Sequence, residues 1–410
     1  MAFNVPGAGS ARAARWTAGA AAIVALCFAI NMADGIDVTI LSFIAPRLQS
    51  EWRISSEAMG SLFSAGLLGI AIGGVGIAPL ADRFGRRPII LIALVLMSAG
   101  MAASSLVAGT SQLLVLRVVV GSGIGTALAV MAALAAERAP EGGRDFAVGL
   151  VQAGYPFAAV FTGLLVAQLL PQHGWRVLLL GAGLITVVLL PAAYAVLRAG
   201  SAPAANQPRR RGVADLFDAS FRLRTAALWS AVFFGLMVLY FIVSWIPKLA
   251  IEAGLSETNG IYAGALYNLG AFTGTVVMSL LAVKTPLGKL VPVMLIGAAA
   301  AMLAFGSLRF SVGITLVLAF AIGVLLQGGY NGVWPLAAAA YPAEIRATGV
   351  GWAMGVGRGG AIIGPMLGGA LMGARASLPL LFAVYCIPLL ACAASAFLVG
   401  RWMKEAPSQS

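Results

Sequence analysis

Long apolar runs separated by short polar stretches make up most of the chain. About twelve of them reach the roughly 20 residues that a helix needs to cross a ~30 Å hydrocarbon layer. They cover 16–44, 58–81, 88–108, 112–136, 146–170, 176–197, 226–251, 259–283, 289–308, 312–340, 348–373 and 377–399. The first run is too long for a signal-peptide core and lacks a small-residue cleavage pattern, so it reads as a retained helix. Between the sixth and seventh runs lies "LRAGSAPAANQPRRRGVADLFDASFRLR", a solvated linker by composition, with a short amphipathic helix expected around Val213–Phe221. The pattern predicts an all-α membrane protein of twelve transmembrane helices in two six-helix bundles. The expected organisation is an N-terminal bundle (1–197), a cytoplasmic linker (198–225) and a C-terminal bundle (226–410).

The two halves repeat each other. "LVLRVVVGSG" from Leu114 aligns with "LVLAFAIGVL" from Leu316, and the same offset pairs Pro140 with Pro342, Arg144 with Arg346 and Gly149 with Gly351. A direct repeat of six spans predicts two pseudo-symmetric bundles related by an axis along the membrane normal, with a site near midplane between them.

Composition agrees. The chain is 60% hydrophobic and 10% charged, against roughly 45–50% and about 25% in soluble domains. The net charge of +12 would suggest nucleic acid in a soluble chain. Here the basic residues lie between apolar runs and no basic-aromatic motif accompanies them, so no nucleic-acid partner is expected. With the N-terminus inside, the cytoplasmic side collects 18 of the 26 lysines and arginines and the outside six, which predicts both termini in the cytoplasm. Cys27, Cys386 and Cys392 all fall within apolar runs and suggest neither disulfides nor a metal site.

Four charged groups remain inside predicted spans: Asp34, Asp37, Arg117 and Arg358. Asp34 and Asp37 stand three apart in "NMADGIDVTILSFIAP", on one helical face. Two nearby carboxylates in a low dielectric cannot both stay ionised comfortably, so one would hold a proton reversibly, as a coupling site requires. At 1.5 Å per residue, Asp37 and Arg117 fall at one depth, which leaves open a structural ion pair between the first and fourth spans. Arg358, in "GWAMGVGRGGAIIGP", lies near midplane between glycines that would leave its planar fork open to capture a carboxylate; pairing with Asp34 or a helix carbonyl is the alternative.

Neutral candidates for the same cavity are Gln152, Tyr155, Tyr240, Trp245, Tyr267 and Asn268. Gln327, Tyr330, Asn331 and Trp334 join them, spaced as one helical face. Rings and amides together suit a planar aromatic ligand carrying a hydroxyl, although Trp and Tyr also serve as interface anchors. His173, the sole histidine, falls in a predicted outer loop, which excludes a histidine proton relay within the membrane. Gly121, Gly123 and Gly125, and the set Gly364, Gly368 and Gly369, allow close helix approach.

The loop "APLADRFGRRP" (78–88) resembles the Gly-x-x-x-Asp-Arg-x-Gly-Arg-Arg signature of the major facilitator superfamily, with Ala78 in place of the leading glycine. That resemblance implies a cytoplasmic latch of Asp82, Arg83, Gly85, Arg86 and Arg87, with Glu137 as an acidic partner. "RVVVGSGIG" resembles the fourth-helix pattern of the superfamily, whose arginine is associated with proton movement. "DGID" with "FIAP", and "YPAEIRATGVGWAMGVGRGGAIIGP", look like the first and eleventh helices of the aromatic acid:proton symporters; the linker is short for that family. The resemblance implies transport roles for Asp34, Asp37, Arg117 and Arg358.

The expected function is proton-driven import of a benzoate-like or hydroxybenzoate-like anion by alternating access. The protein would be a monomer in a bacterial-type inner membrane, without cofactor or metal. Import of a sugar acid or nicotinate has the same architecture. A drug:proton antiporter would carry a Gly-Pro-x-x-Gly-Gly turn where this chain has "GYPFAAVFTGLL", and a non-transporting sensor would need a signalling domain. No metal, nucleophile-base or phosphate-loop pattern points to an enzyme.

Overall fold

A computed structural model describes residues 16–140, 144–197, 213–218 and 221–405. The helices are α1 (Ala18–Trp52), α2 (Ser56–Ile72, extended by a π turn Gly73–Ile77), α3 (Leu80–Phe84), α4 (Arg86–Ser104), α5 (Thr110–Arg138) and α6 (Arg144–Val196). After a 3-10 turn at Val213–Phe217 come α7 (Arg222–Glu252), α8 (Glu257–Ala282), α9 (Leu287–Ser307), α10 (Val312–Asn331), α11 (Val333–Ala340), α12 (Ala343–Gly373) and α13 (Leu378–Glu405). Ten stretches among the described residues are long and apolar enough to cross a membrane. One of them, within α6, carries the fifth and sixth predicted spans on either side of a break at Gly174, whose φ is 74°. The eleventh predicted span lies in α12, so all twelve predicted crossings are helical.

Local chemistry sets the ends. Thr17, Ser55 and Ser256 cap α1, α2 and α8 by accepting a bond from the backbone N–H three residues on. Gly254, with φ 106°, stops α7 and lets the Leu255 N–H reach back to the Ala250 carbonyl. Most of the predicted linker lies outside the described residues. Within it the expected amphipathic helix is a short 3-10 turn, whose Leu216 is fully buried and whose carbonyl accepts a bond from Thr225.

The first span is longer than hydropathy suggests. α1 continues past Ile44 to Trp52, because Gln49 and Glu51 in that extension bind partners on other helices.

In the first half α1 packs chiefly on α6 and α2 on α5; in the second, α8 packs on α10 and α7 on α12. Glycines bring the backbones together at equivalent places in the two halves. A Cβ on Gly73 would lie 1.9 Å from the Ser122 carbonyl oxygen, and one on Gly274 would lie 2.1 Å from that of Val324. Between the halves, α2 meets α12, α6 meets α8 and α1 meets α7.

Among the described residues, every hydrogen bond between the halves falls towards one end of the bundle. Ser42 donates to the Val243 and Ser244 carbonyls, and Ser64 donates to that of Ile362. Lys248 donates to Gln49 at 2.7 Å and to Ser56 at 2.9 Å. Trp245 is buried beside them, donating to the Pro365 carbonyl and meeting Phe63 edge-on at 5.1 Å. Gly369 completes this seam, since a Cβ there would sit 2.4 Å from the Ser56 carbonyl oxygen.

Candidate functional site

The mid-helix region of α1 supplies the centre. Asp37 is buried and forms a two-pronged ion pair with Arg117 of α5: Nη1 donates to Oδ1 at 2.9 Å, and Nη2 bonds Oδ2. The depth match predicted from helical rise is a direct contact. Asp34, one turn earlier on the same helix, is also buried, but its Oδ1 has no hydrogen-bond partner among the described residues. The positive charge that acts on it is that of Arg358, from the other half.

Arg358 stands at the middle of α12, half-buried. Its charge acts on Tyr240 of α7 and on Tyr330 of α10. Its flanking glycines serve another purpose than expected. Gly357 and Gly360 press α12 onto Val232 and Phe233 of α7, whereas Gly351 and Gly355 face open space. Tyr155, from α6, feels Asp34, Asp37, Tyr240 and Tyr267, so side chains of both halves converge here. A small cavity lies against the ion pair, lined by Asp37, Arg117, Gly66 and Phe63 of the first half and by Tyr240 and Ser244 of the second.

The remaining candidates divide. Tyr267 and Tyr330 are buried, and neither hydroxyl has a partner among the described residues. Asn268 turns its amide back onto the Gly264 carbonyl of its own helix. Along the expected face, Gln327 donates to Asn331 at 3.2 Å and the Tyr330 ring meets that of Trp334 edge-on at 5.8 Å, across Gly332, whose dihedrals stay helical. α10 ends at Asn331, so Trp334 belongs to α11. Gln327 and Asn331 form a chain to Thr275 of α8, whereas Tyr330 packs on Gly235 of α7 and Cys392 of α13. Gln152 is exposed and lines a separate cavity of about 250 Å³ with Asn31. Trp245 sits in the seam. His173 is exposed beside the bend in α6, and all three cysteines are buried and free.

The loop after α2 is built around Gly85, whose φ of 88° suits glycine alone. It places Arg86 on Glu137 in an ion pair and Arg87 over the Tyr194 ring at 3.9 Å. Arg83 lies over Phe84 and Asp82 is exposed. These contacts tie α4 to α5 and α6 within the first half.

Comparison with known proteins agrees with this geometry. Residues 26–357 match the Major Facilitator Superfamily. The chain belongs to that superfamily. It is a multi-pass membrane protein and a secondary transporter, not an enzyme. It is 32% identical to a gallate transporter of Pseudomonas putida, covering 90% of each chain. It is also 32% identical to a 4-hydroxybenzoate transporter of Pseudomonas aeruginosa, covering 86% of each. A solved D-xylose-proton symporter superposes with a TM-score of 0.71 at 16% identity, over 93% of this chain and 96% of that one. A bacterial homologue of the human lysosomal transporter Spinster, in an inward-facing state, also gives 0.71 at 19% identity, over 96% and 100%.

Sequence reading of the transporter passed over two polar residues. Asn31 accepts the Tyr155 N–H at 2.7 Å; its place one turn before Asp34 was the available signal. Lys248 joins three helices across the seam, and nothing near it in sequence marks its partners.

Proposed function

We propose that the transporter imports a small aromatic carboxylate, of the gallate or hydroxybenzoate kind, driven by protons. The observation that carries this reading is the buried Asp34 oxygen without a partner among the described residues, under the charge of Arg358 from the other half. A carboxylate held by Arg358 removes the countercharge from Asp34, so Asp34 then favours its protonated form. Substrate and proton load together. Asp37, already neutralised by Arg117, anchors α5 and screens Asp34. Tyr155, Tyr240, Tyr267 and Tyr330 provide ring faces and hydroxyls around an aromatic ligand. The two relatives named above transport substrates of this chemistry.

In this reading residues 1–197 and 226–410 rock as two bodies joined by 198–225, and the protein acts as a monomer. The excess of basic residues at the Arg86 end places that end and both termini in the cytoplasm of a bacterial-type inner membrane. The seam of Ser42, Lys248 and Gly369 is then the outer gate, closed, and the state is inward-facing. Uptake of labelled gallate, 4-hydroxybenzoate, benzoate, nicotinate and a sugar acid, with and without a protonophore, tests the proposal. Protonophore-sensitive uptake of the aromatic acids is expected. Uptake that ignores the protonophore, or that is confined to sugar acids, would contradict it.

A further inference from the structure

α1 and α6 meet at a point where α6 is weakened. Pro156 has no N–H, so the Gln152 carbonyl loses its helical partner. At that point the N–H of Tyr155 donates to the side-chain oxygen of Asn31, across 124 residues of sequence. Two glycines make the approach possible. A Cβ on Gly35 would lie 2.5 Å from the Tyr155 carbonyl oxygen, and one on Gly154 would lie 2.7 Å from that of Phe28. The Tyr155 backbone is therefore pinned between Asn31 and Gly35, the two residues of α1 that bracket Asp34. Asn31 is itself buried, beside the cavity it shares with Gln152.

We propose that Asn31 is a positioning residue that fastens Tyr155 to the turn of α1 carrying Asp34, so that the tyrosine contacting the substrate and the carboxylate carrying the proton move as one rigid unit. The inference rests on the roles of Tyr155 and Asp34 proposed above. Its physical basis is that a side-chain acceptor supplies a bond at a proline-weakened turn. Without it the Tyr155 backbone loses its bond to α1, and a contact loosened by an ångström loses much of its value in binding. Asn31 would then influence affinity without touching the substrate.

The test is exchange of labelled 4-hydroxybenzoate by purified transporter in proteoliposomes. Asn31→Ala is expected to raise the half-saturating concentration about 10-fold, the weight of one buried hydrogen bond, with the maximal exchange rate within about twofold. Tyr155→Ala should raise it as well, and Asn31→Ala combined with Tyr155→Ala should be no worse than Tyr155→Ala alone. Should Asn31→Ala not yield folded protein, a matched pair replaces it. Asn31→Gln keeps an amide oxygen without adding a charge beside Asp34 and should retain more of the wild-type affinity than Asn31→Leu, which fills the space without an acceptor. Tyr155→Ala with wild-type affinity would remove Tyr155 from the substrate site. Impaired Tyr155→Ala beside Asn31→Ala (or Asn31→Leu) at wild-type affinity, or additive losses in the double variant, would overturn the positioning role alone.

Discussion

Asp34 and Asp37 sit one turn apart on the same helix and are buried to a similar degree, yet their surroundings differ. Asp37 is gripped by both prongs of Arg117, whereas Asp34 keeps an oxygen without a partner and sees a cation only across the interface between the halves. A group neutralised permanently within its own bundle is suited to holding that bundle together. A group whose countercharge belongs to the other body is suited to sensing when that countercharge is occupied. Burial is common to both; the source of the compensating charge separates their roles.

The contrast breaks most severely at Arg117. Arg117→Met leaves Asp37 buried and unpaired, which costs about 3–5 kcal/mol. A large fall in thermal midpoint of the detergent-solubilised protein is expected, with most of it recovered when Asp37→Asn is added. No recovery in the double variant would mean that Arg117 stabilises the fold by some route other than this pair.

The next effect in size is at Arg358. Arg358→Ala should weaken 4-hydroxybenzoate binding about 10- to 100-fold, the worth of a charge-assisted pair, and should leave the thermal midpoint close to wild type, because no ion pair within its bundle is lost. Arg358→Lys keeps the charge without the fork and should fall between the two. Isothermal titration resolves all three. Unchanged affinity in Arg358→Ala would dissociate Asp34 from the substrate and remove the distinction between the two aspartates.

A smaller effect is expected at the seam. Lys248→Met removes two bonds from α7 to α1 and α2, so the closed arrangement at that end should be disfavoured a few-fold. Spin-label distances between the outer ends of α2 and α12 would show a larger open population. An unchanged distribution would leave the glycine contacts of Gly369 as the main fastening. The exposed Arg47–Glu257 pair, at 3.8 Å, should matter least; Glu257→Gln is expected to leave that population unaltered.

How much of this could be read from the sequence depends on the range of each interaction. The twelve helices were legible because a bilayer requires continuous apolar runs, and the shared depth of Asp37 and Arg117 because helical rise converts position into depth, though their contact was not. The outer extension of α1 was hidden, since Gln49 and Glu51 are polar for reasons lying on α6 and α7. The same holds for Lys248, whose partners are 199 and 192 residues away. The glycines around Arg358 were visible, but their use was misread: a missing side chain looks the same in sequence whether it opens a cavity or admits a neighbouring backbone. For Gln327, Tyr330, Asn331 and Trp334 the spacing was legible in the pairs Gln327–Asn331 and Tyr330–Trp334, but their partners on other helices, Thr275 among them, were not.

The account depends most on Asp34 being the proton carrier, and Asp34→Asn in proteoliposomes addresses that directly. With labelled 4-hydroxybenzoate, counterflow measures the conformational cycle without a driving force, and accumulation under an imposed pH gradient measures coupling. The account predicts that Asp34→Asn retains counterflow but loses accumulation above equilibrium. Accumulation at the wild-type level, still abolished by a protonophore, would place the proton elsewhere and contradict it.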